Sequence, residues 1–197
     1  MYPAMAFIYF IKMADNEIKG LFYDANYLNV DEINTLTNHI ANEQHWNSVG
    51  TAKNSRQTVQ YGWTYDYNAY RVTPTTSIPD HYQSIVSADR INSKFGENIV
   101  GNEFGQLIIN QYQHQAINPH IDHTRLFGPV IACITIGDER NVVFTKDGQE
   151  ITRPIGNGSI YIMTGASRYQ WKHAFRTTTS KRPTRTSLTF RTVLNKT

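Results

Sequence analysis

The sequence predicts an α+β fold in which helices come first and a sandwich or jelly roll of short strands packs against them. Apolar residues recur at helical spacing in the first half. From Gln106 onward they fall into short β-branched and aromatic runs separated by turn signals. No repeat, low-complexity tract or Pro/Gly-rich linker divides the 197 residues, and a hydrophobic content of 40% is enough for one core without staples.

Residues 1–18 fit no pattern and are set apart as an N-terminal extension; residues 19–197 form one domain, split into a helical part, 19–105, and a strand-rich part, 106–197. The apolar run 4–11 lacks a basic flank and a convincing small-residue cleavage site, so neither signal peptide nor membrane span is expected. The first helix is predicted over 30–42, with Ile33, Leu36 and Ile40 on one side. Between the helices, Tyr61, Trp63, Tyr65 and Tyr67 alternate. One face of an extended segment would then be a row of rings, an arrangement that suits core packing as well as a stacking surface. A second helix is predicted over 79–95, with Pro79 in its first turn and Tyr82, Ile85 and Val86 as its stripe.

In the strand-rich part, the run from Val130 to Ile134 places Cys133, the single cysteine, at a buried strand position. An internal disulfide is excluded, which agrees with an intracellular protein. Asp147-Gly148 between Val142-Val143-Phe144-Thr145 and Glu150-Ile151-Thr152 is a hairpin signature. Further strands are predicted over 159–163, 170–175 and 185–193. The 19 basic against 16 acidic residues give +3, a balance that suits an anionic partner without singling one out. Arg56, Lys172, Arg176, Lys181 and Arg182 are candidate contacts for such a partner, although solvated surface is the ordinary place for each.

Asn118-Pro119-His120-Ile121-Asp122 puts an imidazole and a carboxylate two residues apart, on one face of an extended chain, where both can grip one ion. A further neutral imidazole would complete a two-histidine, one-carboxylate set that leaves positions open on iron(II). His173 is the best candidate, provided the sheet folds back on itself. His123 would point to the opposite face from Asp122, and His39, His45, His81 and His114 have no paired ligand spacing. In the last run, Arg185, Ser187, Thr189 and Arg191 face one way and Leu188 and Phe190 the other. Two arginines turned inward imply an anion, because buried guanidinium groups without one are costly, and a dicarboxylate held between them would fit. The pattern leaves open which face is the inner one. Asn110 and Tyr112, also two apart, could bond to the same ligand or belong to an ordinary strand.

Together, Asn110-x-Tyr112, His120-x-Asp122, Gly158-Ser159, the stretch from Met163 through Ser167-Arg168-Tyr169-Gln170-Trp171 to His173, and Arg185-x5-Arg191 resemble the AlkB family in order and spacing. The resemblance covers residues 106–193. A weaker echo in Ser55-Arg56 and Tyr61-Gly62-Trp63-Thr64-Tyr65 is similar to the family's nucleotide-recognition lid. It implies a double-stranded β-helix of jelly-roll type with packed N-terminal helices. It also implies Fe(II) on His120, Asp122 and His173, with 2-oxoglutarate and O2 as co-substrates. Arg185, Tyr112 and Ser187 would hold the distal carboxylate, and Arg191 and Asn110 would lie nearer the metal-chelating end. Ala174 stands where the family usually has glycine, a departure that removes no ligand. The implied reaction turns 2-oxoglutarate into succinate and carbon dioxide while hydroxylating a C–H bond; on an N-methyl group the hemiaminal then releases formaldehyde.

For a base in DNA or RNA as substrate, the resemblance points to Arg56, Tyr61, Trp63, Tyr65, Trp171, Lys172, Lys181 and Arg182 as contacts, in a protein expected to be a monomer. The leading expectation is oxidative demethylation of alkylated bases. The stretch Ser167-Arg168-Tyr169-x-Trp171-x-His173 is also similar to members that hydroxylate a modified wobble uridine in tRNA. A protein or lipid substrate, or a binding module without turnover, are the further alternatives.

Overall fold

The structure is a computed structural model that describes residues 13–14, 17–48, 56–112, 115–176 and 184–194. Lys181, Arg182, His114, Ser55 and the apolar run 4–11 lie outside the described residues. In chain order, strands β1 (Met13–Ala14) and β2 (Leu21–Asp24) precede helix α1 (Val30–Ala41). Asn29 caps α1 in a reciprocal box, accepting from the Glu32 backbone while the Glu32 carboxylate accepts from the Asn29 N–H. Strand β3 (Asn47–Ser48) and strand β4 (Gln57–Tyr61) follow. The chain then leaves the main sheet at Gly62, whose φ is +73° and where a Cβ would stand 1.9 Å from the Gly105 carbonyl oxygen. Only glycine fits there. Strands β5 (Trp63–Asp66) and β6 (Arg71–Pro74) form a separate antiparallel hairpin.

The second expected helix is three pieces: α2 (Asp80–Gln83), a 3-10 turn (Ser84–Val86) and α3 (Ala88–Phe95). Ser87 interrupts it at φ −56°, ψ 147°, and its hydroxyl accepts from the Arg90 N–H, so a serine that caps one helix ends the turn before it. The three pieces still bury the expected Tyr82, Ile85 and Val86, together with Ile91 and Phe95.

The remaining strands are β7 (Gln106–Tyr112), β8 (Ile117–His120), β9 (Phe127–Gly137), β10 (Arg140–Lys146), β11 (Gln149–Ile155), β12 (Ile160–Met163), β13 (Lys172–Phe175) and β14 (Arg185–Val193), with a short helix α4 (Gly165–Tyr169) before β13. Asp147 (φ 48°) and Gly148 (φ 82°) make the turn between β10 and β11, both with positive φ as a tight hairpin requires. The large sheet runs β1-β2-β12-β9-β14-β7-β4-β3 and the small one β11-β10-β13-β8. This is a jelly roll, the double-stranded β-helix expected.

The alternation of the large sheet divides its side chains between two cores. Leu107, Ile109, Ala132, Ile134, Ile160, Ile162, Leu188 and Phe190 face the helices; Ile131, Cys133, Tyr161 and Met163 face the small sheet with Val142, Phe144, Phe175 and Trp171. Arg185, Ser187, Thr189 and Arg191 therefore point between the sheets. Ile18 is fully buried in the second core, and β1 pairs with β2. No helix among the described residues is long and apolar enough to cross a membrane.

Candidate active site

A cavity of about 450 Å³ opens between the sheets and carries polar groups at both ends. His120, Asp122 and His173 line its mouth, with one ligand atom from each lying within 4.8 Å of the others. Sheet pairing brings the histidines together: His120 on β8 stands opposite His173 on β13, and their rings are 4.3 Å apart. The Nδ1 of His120 lies 2.8 Å from the Asn118 carbonyl oxygen, an acceptor that fixes the proton on Nδ1 and leaves Nε2 as the donor to a metal.

Asp122 lies just past the end of β8, in the connection to β9 rather than on the strand as the spacing implied. Its Oδ1 accepts from Arg191 Nη2 at 2.7 Å, whereas Oδ2 is buried without a hydrogen-bond partner and lies 3.7 Å from His173 Nε2. Burial works against the Asp122 carboxylate, but Arg191 first, then His173 and His120, hold its pKa down at about 2. Burial pushes His173 down to about 3 against the opposing pull of Asp122. An ionised carboxylate and a neutral imidazole are the states a metal requires, and the orphaned Oδ2 is an acceptor that a cation would satisfy. The donor set fits iron(II) with positions left open.

Behind the cavity walls formed by Tyr112 and Phe175, Arg185 is completely buried. Its Nη2 donates to Thr135 Oγ1 at 3.1 Å, its guanidinium carbon stacks 4.3 Å from the Phe175 ring, and Nε and Nη1 have no acceptor. Tyr112 stands opposite Arg185 in the pairing of β7 with β14, and burial raises its phenol although Arg56 and Arg185 both favour ionisation. Asn110 pairs with Ser187 and presents a buried, unpartnered Oδ1. Arg56 also lines this cavity, 5.8 Å over the Tyr112 ring. The expected reach of Arg185 and Arg191 toward each other does not occur. Arg191 turns to Asp122 and to Gln106 Oε1 (3.0 Å), because the buried carboxylate beside it is the nearer anion.

Tyr65 and Tyr67 line the mouth, with ring centroids 4.7 Å apart, and His123 joins them while its Nδ1 accepts from the Leu126 N–H. The expected single row of rings is broken at Gly62. Tyr61 bonds to Glu43 beside the helices and is absent from the cavity wall, and Trp63 packs against Val72, Phe127 and Val193. Trp171 is a buried core residue rather than a rim contact, and Lys172 is exposed on the outer face of β13 beside the β10–β11 turn. His39, His45 and His81 do not line this cavity: His39 and His81 stack at 3.6 Å, and His45 pairs with Glu43.

Sequence reasoning missed Gln106. Completely buried, it accepts from Arg191 and donates to the Trp63 carbonyl oxygen (3.0 Å) and Gln60 Oε1 (3.3 Å), while Gln60 holds the Tyr65 backbone. The hairpin at the mouth is thereby tied to the carboxylate at the metal end. The only cue was its place at the start of β7.

A jelly roll with two histidines and a carboxylate at the mouth of its cavity, and a buried arginine behind the cavity's Tyr112 and Phe175 walls, fits a non-haem iron oxygenase that takes a dicarboxylate co-substrate. A profile of the 2OG-Fe(II) oxygenase superfamily matches residues 20–191, and the chain belongs to that superfamily, as an AlkB-like member. Its cofactor is Fe(II), and its co-substrates are 2-oxoglutarate and dioxygen.

The chain is 26% identical over 203 residues to a Xenopus tropicalis tRNA (carboxymethyluridine(34)-5-O)-methyltransferase, alkbh8, covering 88% of this chain and 32% of that protein. It is 23% identical over 208 residues to the human alpha-ketoglutarate-dependent dioxygenase alkB homolog 3, covering 94% of this chain and 70% of the relative. The chain thus spans about a third of the Xenopus protein. Among solved structures, OsALKBH1 shares the fold at TM-score 0.69 and 18% identity, over 88% of this chain and 96% of that one. A Pseudomonas putida prolyl-4-hydroxylase shares it at TM-score 0.59 and 14% identity, over 89% of this chain and 94% of that one.

Proposed function

We propose that this chain is an Fe(II)- and 2-oxoglutarate-dependent dioxygenase of nucleic acid that demethylates alkylated bases. The observation that carries the reading is one cavity with metal donors at its mouth, tyrosine rings at its opening and, packed behind its Tyr112 and Phe175 walls, a buried guanidinium with two unsatisfied donors. Iron(II) held there would let dioxygen, the oxidant, couple decarboxylation of 2-oxoglutarate to succinate with hydroxylation of a C–H bond.

The chain's own residues do the positioning. His120, Asp122 and His173 hold the metal, Asp122 as a carboxylate and His173 as a neutral imidazole. The free donors of Arg185 receive the distal carboxylate of 2-oxoglutarate, with Tyr112, Ser187 and Asn110 lining its path. Ile131, Met163 and Phe175 keep the cavity dry on its apolar side. Tyr65, Tyr67 and His123 offer faces on which an unpaired base can stack, and Arg56 adds positive charge within the same wall. The likeness to alkB homolog 3 and alkbh8 supports nucleic acid as the substrate class.

Succinate formation by iron-loaded protein, with and without a methylated oligonucleotide and beside His120→Ala, tests the reading. Turnover stimulated by the oligonucleotide and lost in the variant is expected, together with a product lighter by a methyl group. No succinate from verified iron-loaded protein overturns it. The match to the Xenopus tRNA enzyme over 88% of this chain favours one second reading, hydroxylation of a modified wobble uridine. A tRNA product heavier by one oxygen would select it.

A further inference from the structure

Strand pairing holds two of the three metal donors, His120 and His173, and leaves Asp122 in a connection outside any strand. Arg191 fixes one carboxylate oxygen, but a carboxylate is aimed only if its backbone is held as well. A single side chain gathers that backbone. Arg168, 1% exposed on α4, donates from Nη1 to the Asp122 carbonyl oxygen at 2.9 Å and from Nε to that of Gly128 at 3.2 Å. Its Nη2 reaches the carbonyl oxygens of Phe127 at 3.4 Å and His123 at 3.5 Å.

All of these acceptors belong to the segment 122–128, and none is a carboxylate. Burying a guanidinium on neutral acceptors is costly, and an apolar side chain of similar length would fill the space more cheaply. The arrangement therefore calls for a reason beyond packing. Helix α4, which carries Arg168, is anchored in turn: Ser167 Oγ donates to the Gly20 carbonyl oxygen at 2.7 Å, the Thr164 N–H reaches the same oxygen at 2.8 Å, and Arg168 lies 4.9 Å from the Tyr169 ring. A rigid line thus runs from the start of β2 through α4 to the backbone of Asp122.

We propose that Arg168 is a positioning residue for the metal, fixing the Asp122 backbone while Arg191 fixes its carboxylate, so that Oδ2 faces His173. The proposal rests on the reading of His120, Asp122 and His173 as the ligands. It assigns Arg168 no contact with metal or substrate.

Cobalt(II) titration, followed by visible absorption and chelator competition, tests it on wild type, Arg168→Met, Arg168→Lys, His120→Ala and Leu36→Ala, each also melted thermally. Arg168→Met should weaken cobalt binding about tenfold to a hundredfold, the usual effect of losing an outer partner of a ligand, and should alter the cobalt absorption bands. Arg168→Lys, whose compact ammonium reaches fewer carbonyl groups, should lose less. Leu36 is buried beneath the helices, so Leu36→Ala should lower the melting temperature with cobalt affinity unchanged. Folded arginine variants that bind cobalt within threefold of wild type would overturn the proposal, and so would an equal loss in Leu36→Ala. If Arg168→Met does not fold, Arg168→Lys decides by the same threshold. Cobalt binding by His120→Ala equal to wild type would instead overturn the ligand reading beneath it.

Discussion

Replacing Arg185 by methionine should move stability and co-substrate affinity in opposite directions. In the structure, Arg185 is completely buried, with one hydrogen bond to Thr135 and two donors, Nε and Nη1, that have no acceptor. The protein alone bears the desolvation of this cation, and a hydrophobic residue of similar length should be neutral or stabilise by about 1–4 kcal/mol. With 2-oxoglutarate bound, the same two donors would receive a carboxylate. Hydrogen bonds to charged groups contribute about 1.5–3 kcal/mol each, so losing two costs about 3–6 kcal/mol. At about 1.4 kcal/mol per decade, the KM for 2-oxoglutarate should rise roughly a hundredfold to ten-thousandfold. Urea unfolding of the chelator-treated protein and succinate assays over a range of 2-oxoglutarate read the two effects separately. A KM within tenfold of wild type would refute the placement of the co-substrate. Destabilisation by about 3 kcal/mol or more would show that Arg185 is structural in its own right.

Arg191→Met should do the reverse to stability, because it strands the buried Asp122 carboxylate, and a loss of about 3–5 kcal/mol is expected in urea unfolding. Acid should destabilise the chelator-treated protein well before general acid denaturation. His173 is held neutral down to about pH 3, so below its ordinary value of 6.5 the unfolded chain takes up a proton that the folded one refuses. Stability should then fall by up to about 1.4 kcal/mol per pH unit, and His173→Asn should flatten that slope between pH 6.5 and 4. Asp122, lowered to about 2, adds a second loss of the same sign below its ordinary 3.8, as the unfolded carboxylate protonates first. Tyr67→Ala should raise the KM for a methylated oligonucleotide roughly fivefold to hundredfold, at about 1–3 kcal/mol per stacked base, and the KM for 2-oxoglutarate far less. Equal changes in both would place Tyr67 outside the base-binding surface.

Features set by neighbouring residues were legible in the sequence. The Asp147-Gly148 turn, the helix from Val30, and the strand from Arg185 to Val193 follow from local φ preferences and from periods of 2.0 and 3.6 residues. The errors were local rules overruling one another. The apolar stripe of 79–95 concealed the capping serine at 87, and the alternation of aromatic rings ignored the glycine at 62 that sends Tyr61 to another sheet.

By itself, the sequence determined the helix from Val30, the later strands, the opposed faces of the last strand and the kinds of ligand available, since each depends on residues a few positions apart; the strands between residues 21 and 74 were not legible in it. Only the tertiary structure decided which face looks inward and which groups meet. Arg191 and Gln106 are 85 positions apart, and Arg168 reaches Asp122 across 46. Such partners are chosen by the register of strands and the folding back of the sheet. Those are settled by burial of the whole core, and no short stretch of chain carries that information.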